Sequence, residues 1–343
     1  MSTGKRVVAI GGGIAVLAAG AFFVLNKKSP LDAVTQAFAA PKCPLTGVEP
    51  RAESLIDRPA VAIKVENNPV AYPLSGLEDA EIVYEEEVEG GLTRFVAIYH
   101  CTDTPKAGPV RSARTVDPGI LKPFTLILGA AGGNGEVRNV LTEEKVVLID
   151  EPGAGDAMTR VERPGISSEH TLYADSRALR KLGRKDYDQA PAEGIFSFGD
   201  LEGKTRKART ITIVFSPAVT VTYEWRDDAW QRSDNGEPLM SESGTQIAVD
   251  NVLIEEHTIN YSALGDVVGA RSTEIADETG TGRAVLFRDG RAIKGTWSRS
   301  AIDEPMRFET KSGDEMILRP GNTWIELVPD AEGEVKGSFS FEK

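Results

Sequence analysis

The spacing of hydrophobic and polar residues changes along the chain, and these changes predict the order of its elements. In the segment 58–67 apolar residues alternate with polar ones, which predicts a strand with one buried face. The segments 82–91 and 93–101 follow the same rule on either side of a Gly-Gly pair. Two strands joined by such a turn predict a β-hairpin.

The next part of the chain mixes helical and strand patterns. Residues 74–81 contain a capping-box pattern, Ser75 followed three residues later by Glu78, which predicts a short helix. Further elements are predicted as a short helix after the GPVRSAR stretch to about Phe124, an apolar strand 125–133, a helix 136–144, an apolar strand 145–150 and a helix 176–185. Strands that are apolar on both faces favour a sheet covered by helices, so residues 51–190 are expected to form a mixed α/β domain.

From residue 205 the pattern becomes one of short alternating strands separated by turn signals. Strands are predicted at 210–215, 219–225, 245–259, 282–299, 306–310 and 315–328. This pattern is typical of a small barrel or sandwich, and we expect a β-rich domain over 205–330. Trp297 and Trp324 lie in its strands and are expected in the core, although aromatic residues on a sandwich also form carbohydrate platforms. The whole is expected to be an α+β protein, with the mixed domain followed by the smaller β-rich domain.

The N-terminus has a different character. Lys5 and Arg6 precede residues 7–25, nineteen positions without a charge. As a helix this run is about 28 Å long, close to the thickness of the bilayer hydrocarbon, so we expect 1–28 to be a transmembrane signal anchor. A cleaved signal peptide is the alternative. Residues 29–50, rich in Ala and Pro, are expected to be a tether.

Charge restricts the partners that the chain is expected to bind. There are 39 Lys and Arg against 52 Asp and Glu, a net charge of -13. Without the four basic residues that flank the apolar run, the remainder is near -17. Two basic residues flank each side of the apolar run, so they do not decide its orientation in the membrane. The free amino terminus adds a positive charge that favours an N-terminus in the cytoplasm, with residues 29–343 outside it. So acidic a surface gives no reason to bind nucleic acid, and any anion site must be local.

Cys43 and Cys101 are the two cysteines of the chain. In an oxidising compartment they are expected to form one disulfide, which would tie the start of the folded region to the end of a strand. Two unrelated thiols, with Cys101 buried as a small hydrophobic residue, are the alternative.

The stretch GPVRSAR, residues 108–114, is the clearest candidate for an anion site. If Ser112 begins a helix, its backbone N–H groups and the guanidinium groups of Arg111 and Arg114 can converge on one phosphate or carboxylate. The alternative is that the arginines pair with the acids of YEEEVEG, residues 84–90, and stabilise the edge of the sheet.

That acidic run raises a second question. In a strand, Glu85, Glu87 and Glu89 share one face. Neighbouring carboxylates repel, which raises a pKa, binds a cation or requires facing arginines. The three are weak candidates for a metal site, and a solvated strand face is the simplest interpretation. The sequence names no cofactor.

Candidates for catalysis are few. His170 lies in a polar loop and is of the right type for a general base, and Glu89 is a second candidate. A loop histidine bonded to the backbone is the alternative. His100 is expected to be structural, and His257 has no partner pattern. The chain contains no HExxH, CxxC, P-loop or GxSxG motif, so the signatures of common metal, nucleotide and hydrolase sites are absent.

Several of these stretches together resemble a known family. RPAVAIKVEN, EIVYEEEVEGGLTRFVAIY, GPVRSAR, EHTLYAD, GRAVLFRDGRAIKGTWSR and LRPGNTWIELVP are similar to the YerB-like bacterial envelope proteins, over roughly residues 45–330. The resemblance implies two consecutive domains of unknown function held outside the membrane, and it brings no catalytic residues. Many members resemble lipoproteins, whereas this sequence lacks the lipid-anchor cysteine.

The sequence therefore predicts a single-pass membrane protein whose bulk is extracytoplasmic. The leading hypothesis is an envelope module that binds a cell-wall component or an envelope protein in a cleft formed by Arg94, Arg111 and Arg114. The alternative is a hydrolase or transferase acting on an envelope glycan or phosphodiester, with these arginines on the anion and His170 or Glu89 as base.

Overall fold

The computed structural model describes residues 40–265 and 271–343, with the side chains of 263–265 left out. The first part of the chain supplies β1 (Val61–Asn67), β2 (Ile82–Glu87), β3 (Thr93–Tyr99), β4 (Ile127–Gly129), β5 (Val147–Ile149), β6 (Met158–Arg160) and β7 (Leu172–Ala174). The second part supplies β8 (Arg206–Lys207), β9 (Thr210–Ser216), β10 (Val219–Arg226), β11 (Ala229–Asp234), β12 (Glu237–Pro238), β13 (Ala248–Val249), β14 (Asn251–His257), β15 (Ile259–Gly265), β16 (Arg271–Ile275), β17 (Gly280–Arg288), β18 (Arg291–Arg299), β19 (Arg307–Thr310), β20 (Thr323–Pro329) and β21 (Ser338–Glu342). The α-helices of the described residues are short, namely α1 (Asp117–Leu121), α2 (Gly135–Glu143), α3 (Glu151–Ala154) and α4 (Ser176–Gly183).

Strands from both parts of the chain join in one central sheet. Its order is β19-β18-β17-β14-β20-β2-β3-β1-β4-β5, with β8 added beside β18. Strand β20, from near the C-terminus, lies parallel between β2 and β14. The two sequence segments therefore share one sheet, and residues Pro41–Lys343 form one compact unit.

A second sheet packs on one face of the central sheet. Its strands are β12-β11-β10-β9-β21, with β13 added beside β11. Between the two sheets lies a core that includes Phe95, Trp324, Trp230 and Phe287. The rings of Phe95 and Trp324 meet edge to face at 5.2 Å between centroids, a favourable aromatic geometry. This part of the molecule is a sandwich of two sheets.

The opposite face of the central sheet is covered by helices and loops. Its core contains Ile82, Ile98 and Ile325 from the strands, packed with Leu121 of α1 and Leu141 of α2. Most of this covering layer is irregular chain, and its α-helices are short. The strand β1 is buried on both faces: helix α4 lies against the face that carries Val61, Ile63 and Val65, and α1, α2 and loops cover the other face.

Several predictions for individual elements are confirmed. The hairpin β2–β3 forms with Gly90 and Gly91 in its turn, both at positive φ near 70°. Trp297 and Trp324 lie in β18 and β20 and are at most 1 % exposed. Strands β4 and β5 and helix α4 lie inside their predicted segments, although both strands are shorter than expected, and helix α2 begins one residue before its predicted segment and ends one residue earlier.

Other predictions need correction. The molecule is mostly β-rich with few helices, so the expected mixed α/β character of residues 51–190 is too helical. Ser112 does not begin a helix, because α1 begins at Asp117. Ser75 is no N-cap: only the 3₁₀ turn Leu77–Asp79 forms there, with Gly76 as its cap, and the Ser75 hydroxyl donates to Glu242.

The predicted anchor 1–28 lies outside the described residues, as does the predicted tether up to residue 39. In the part of the chain that the structure describes, no helix is both long enough and apolar enough to cross a membrane. Where the tether enters the folded unit, Cys43 is joined to Cys101 by a disulfide. Of the two alternatives left open for the cysteines, the structure has the bonded one.

Candidate functional site

Polar residues replace the apolar pattern at one end of strands β1 to β3. Across the ladder Glu66 of β1 is opposite Arg94 of β3, and Arg94 is opposite Glu86 of β2. Lys64, two residues before Glu66, lies on the same face. All four belong to the face that helix α1 helps to cover, and three of them are at most 3 % exposed.

The GPVRSAR stretch runs beside this end of β1 as an extended segment, with Val110 opposite Val65. Its backbone is bonded on both sides: the Glu66 N–H donates to the Pro109 carbonyl, and the Val110 N–H donates to the Leu172 carbonyl. Gly108 is required at its start because φ is 145° and a Cβ would lie 2.9 Å from the carbonyl oxygen of Leu172. The segment thereby places Arg111 and Arg114 beside Arg94.

We define the arginine cluster as Arg94, Arg111, Arg114, Glu66, Glu89 and His170. Within it Arg114 donates to Glu89 at 2.5 Å, and Arg94 lies 3.8 Å from the same carboxylate. Arg111 lies 3.4 Å from Glu66. The structure therefore brings together the three arginines that the sequence singled out.

Backbone carbonyls accept hydrogen bonds from all three guanidinium groups, and Arg114 donates to the Ala113 carbonyl at 2.8 Å. Arg94 donates to the Ser112 carbonyl at 2.9 Å. Arg111 donates to the Glu169 carbonyl at 2.9 Å. Arg111 is the most exposed of the three, with 24 % of its side chain exposed against 12 % for each of the others.

A buried lysine supports the cluster from below. The Lys64 ammonium, fully buried, pairs with Glu86 and with Asp117, the latter at 2.5 Å. Asp117 also accepts from the Arg114 N–H at 2.7 Å, which fixes the backbone that carries this arginine. Counted together, four basic side chains face four acidic ones here, Lys64, Arg94, Arg111 and Arg114 against Glu66, Glu86, Glu89 and Asp117.

His170 belongs to the same cluster. Its Nδ1 lies 2.8 Å from Glu66 and its Nε2 lies 3.2 Å from Glu169. Both ring nitrogens therefore face carboxylate oxygens, which only accept hydrogen bonds. His170 lies beside the arginines, as the enzyme alternative requires, with Nδ1 within hydrogen-bonding distance of Glu66 and Nε2 facing the carboxylate of Glu169.

The electrostatics of Glu89 and Arg94 follow from these contacts. Burial alone would raise the pKa of Glu89, but hydrogen bonds from Arg114 and Ser272 and the charges of Arg114 and Arg94 lower it to about 2. Burial lowers the pKa of Arg94 to about 10, with help from the charges of Arg114 and Arg111 and against that of Glu89. Arg94 is thus a cation held among other cations.

The acidic run of β2 divides between the two faces of the sheet. Glu85 turns away from the arginine cluster and pairs with Arg232 at 2.7 Å. Glu89 lies beyond the end of β2, in the 3₁₀ turn Glu89–Gly91, and joins the arginines. The expected common face of Glu85, Glu87 and Glu89 is therefore wrong for Glu89, and the three carboxylates do not converge.

We define the Arg232 cluster as Arg232, Tyr223, Glu85, Asp234 and Glu326, which lie between the two sheets. Arg232 is fully buried and lies within 3.2 Å of three carboxylates. Burial and the charge of Glu85 raise the pKa of Glu326 well above its ordinary value. Sequence reasoning missed this cluster, because Arg232 precedes a turn and has the pattern of a surface residue.

The remaining predicted residues lie elsewhere. Glu87 is 4 % exposed, and burial raises the pKa of its carboxyl to about 7. His100 is buried and its Nε2 lies within hydrogen-bonding distance of the Ile56 and Arg58 carbonyls, a structural role. One signal could have identified the missed Lys64 and Glu66: they are the two charged positions of the mostly apolar strand β1.

Comparisons with known proteins agree along the chain. Residues 45–189 match the model "Protein of unknown function (DUF3048) N-terminal domain", and residues 211–325 match the corresponding C-terminal domain. The protein "Putative lipoprotein YerB" of Bacillus subtilis (strain 168) is 27% identical over 330 residues, which are 91% of this chain and 93% of that protein. The crystal structure of the YerB protein from Bacillus subtilis is similar with a TM-score of 0.71 at 26% identity, over 88% of this chain and 99% of that one.

Proposed function

The chain belongs to the DUF3048 family of unknown function, and from this premise we propose that it is an envelope protein whose arginine cluster binds an anionic group of a cell-wall component. The proposed ligand chemistry is a phosphate or a carboxylate, which arginine recognises through paired N–H donors. The proposed role is binding without turnover.

The observation that carries the proposal is the incomplete pairing of Arg94. This guanidinium donates one hydrogen bond, to the Ser112 carbonyl, and lies 3.8 Å from Glu89, too far for a second. Arg114 and Arg111 both lower its pKa. An anion placed among the three would relieve this repulsion and accept the N–H groups that have no partner among the described residues.

The balance of charges in the site limits the affinity that we expect for an anionic ligand. Four acids already face the four bases, so a ligand must compete with Glu66 and Glu89 for the arginines. Arg111 is the residue best placed to change partner, because it is the most exposed of the three and its contact with Glu66 is long, at 3.4 Å. We expect an affinity that serves a polymeric ligand with repeated anionic groups better than a single free ion.

The contacts favour binding over the alternative of a hydrolase or transferase. A general base needs a free lone pair and a pKa near the working pH. Both nitrogens of His170 are engaged by carboxylates, and the pKa of Glu89 is about 2, too low for efficient proton abstraction. The enzyme hypothesis therefore requires a base outside the arginine cluster.

The proposed location rests on two observations. The related protein of Bacillus subtilis is named a lipoprotein. Residues 7–25 are long and apolar enough to serve as a membrane anchor in place of a lipid. We therefore place this protein at the outer face of the cell membrane, with the sheet and its arginine cluster extracytoplasmic.

The test is a thermal-shift titration of the full-length protein with oligomers of glycerol phosphate and with peptidoglycan fragments. We expect one of them to raise the melting temperature of the wild type but not of the folded double variant Arg111→Ala with Arg114→Ala. Arg177→Ala is the matched control, since that side chain is 79% exposed and outside the cluster. A double variant that still responds to the ligand would overturn the proposal, as would a wild type that responds to neither. Release of soluble fragments from purified cell walls, lost in the folded double variant Arg111→Ala with Arg114→Ala, would support the enzyme instead.

A further inference from the structure

A second, separate recess lies where helix α1 meets strands β14, β16 and β18. It is lined by Tyr84, Glu255, His257, Glu278 and Arg299, with Ile120 on an apolar wall. A smaller recess beside it is lined by Glu86 and Glu87 and shares the walls Val116, Ile275 and Leu327. We call the two together the acidic pocket.

Buried carboxylate oxygens without a partner line this pocket. Glu255 is 0 % exposed and its Oε1 has no hydrogen-bond partner among the described residues. The same holds, in that part of the chain, for Oε2 of Glu86 and Oε2 of Glu87, which are 2 % and 4 % exposed as residues. Buried polar atoms are nearly always bonded, so three such oxygens around one pocket indicate a missing donor.

The cations that line the pocket are already engaged. His257 is held between Glu255, at 3.2 Å, and Asp277, at 3.1 Å, and its ring stacks on Trp297. Arg299 donates to backbone carbonyls, among them that of Gly119 at 2.8 Å. Neither side chain donates to the unpartnered oxygen of Glu255.

The lining has an excess of acids. Five glutamates contribute to it, against the two cations His257 and Arg299 (Glu86, Glu87, Glu255, Glu274 and Glu278). Burial raises the pKa of Glu278, because desolvation is a cost to its charged form. A bound cation would offset that cost.

The spread of the carboxylates selects the kind of cation. Among the described residues, the group of His, Cys, Asp and Glu atoms close enough together to hold a metal ion is Glu81, His100 and Cys101; it lies outside this pocket, and its Cys101 sulfur is already bonded to Cys43. A primary ammonium carries three divergent N–H donors and suits acceptors that lie apart. The apolar walls fit the methylene chain of an alkylammonium, and the buried end has room for a water-sized group.

We propose that the acidic pocket binds the primary ammonium group of a small or extended ligand, with Glu255 as its main acceptor and Tyr84 beside it. Its main acceptor, Glu255, lies outside the arginine cluster, although Glu86 of the pocket also pairs with Lys64 beneath that cluster. The pocket adds to the protein a preference for ligands that carry an amine on a short apolar chain.

The experiment measures binding of n-pentylamine to the full-length protein by calorimetry, with pentan-1-ol as the uncharged probe of equal length. We expect the wild type to bind the amine and not the alcohol. Glu255→Gln, which keeps the shape of the side chain, should weaken amine binding by about ten- to a hundredfold, the loss of a charged hydrogen bond. Glu256→Gln is the matched control, because Glu256 is the next residue and pairs with Arg283 at the surface.

Tyr84→Phe keeps the test decisive if Glu255→Gln fails to fold, and it should weaken amine binding severalfold while leaving the circular dichroism spectrum unchanged. Equal binding of amine and alcohol would overturn the proposal, since the pocket would then be merely apolar. Unchanged amine affinity in Glu255→Gln, or no amine binding by the wild type, would overturn it as well.

Discussion

The arginine cluster and the Arg232 cluster lie on opposite faces of the central sheet, and both are built from arginine and carboxylate groups. Glu85 and Glu86, neighbours in β2, send their side chains to different sides: Glu85 reaches Arg232, while Glu86 reaches Lys64. The Arg232 cluster is sealed between two sheets. The arginine cluster is covered by loops and retains partial exposure.

Both clusters contain paired charges, but only the Arg232 cluster is fully buried. Burial therefore distinguishes a structural ionic cluster from a candidate binding site better than ion pairing does. Arg232 has three carboxylates within 3.2 Å and the rings of Phe95 and Trp324 against its guanidinium. Its N–H groups have no route to a ligand. Arg94 and Arg111 have fewer protein partners, and Arg111 is partly open to solvent.

The largest effect is expected from removing the centre of the sealed cluster. Arg232→Met should lower the free energy of unfolding by about 3–5 kcal/mol, because it leaves Glu85, Asp234 and Glu326 as buried acids without a cation. Urea unfolding followed by fluorescence measures this loss. Adding Glu85→Gln to the variant should recover part of it. A loss below about 1 kcal/mol would place Arg232 among ordinary surface ion pairs.

A smaller effect is expected from Arg114→Ala in the arginine cluster. Arg114 donates to Glu89 at 2.5 Å, and losing a charged hydrogen bond of this kind costs about 1–3 kcal/mol. The pKa of Glu89 should also rise from about 2, since Arg114 is the main group that lowers it. Urea unfolding and an NMR titration of the Glu89 carboxyl carbon check the two parts. A carboxyl that titrates as in the wild type would contradict the assigned pair.

The same carboxylate predicts a dependence on pH. Because the folded pKa of Glu89 is about 2, below the ordinary value of 4.5, its contribution to stability is fully present above about pH 5 and disappears as the pH falls toward 2. Glu89→Gln should therefore show a smaller loss of stability over this range, measured by urea unfolding at several pH values.

Glu87 predicts a pH dependence in the opposite direction. Its pKa is raised to about 7, so the wild type should lose stability as the pH rises from 5 to 8, and Glu87→Gln should gain stability relative to it. Parallel profiles for all three proteins would refute these assignments.

The smallest effect on stability is expected for Arg111→Ala. Its ion pair with Glu66 is long and partly exposed, so the free energy of unfolding should change by less than about 1 kcal/mol. Binding of the anionic ligand should nevertheless fall, because Arg111 is the guanidinium most accessible to it. Urea unfolding and the thermal-shift titration, done on the same sample, test both statements. If Arg111→Ala lost as much stability as Arg232→Met, Arg111 would have the same structural role as Arg232, and the contrast between the two clusters would be wrong.

Local patterns predicted much of this molecule. Alternation identified β1, Gly90 and Gly91 marked the hairpin, and an unusual density of arginine pointed to residues 108–114. These features depend on a few consecutive residues, which a single sequence contains.

Other features depend on residues far apart in the chain. Strand β20 lies between β2 and β14 through parallel pairing, which no local signal encodes. Arg232 is buried only because the second sheet packs over it, and Glu89 leaves the face of Glu85 because β2 ends at Glu87. For the same reason Lys64 and Glu66, buried under the arginines, were not identified as part of the site.

The most direct test of the contrast is one NMR titration in which the Nε–Hε signals of all arginines are followed as inorganic phosphate is added to the full-length protein. We expect the signals of Arg94, Arg111 and Arg114 to move with a common saturation curve while that of Arg232 stays in place. If the three do not move at any phosphate concentration that leaves the protein folded, or if Arg232 moves with them, the two clusters do not differ in the way proposed.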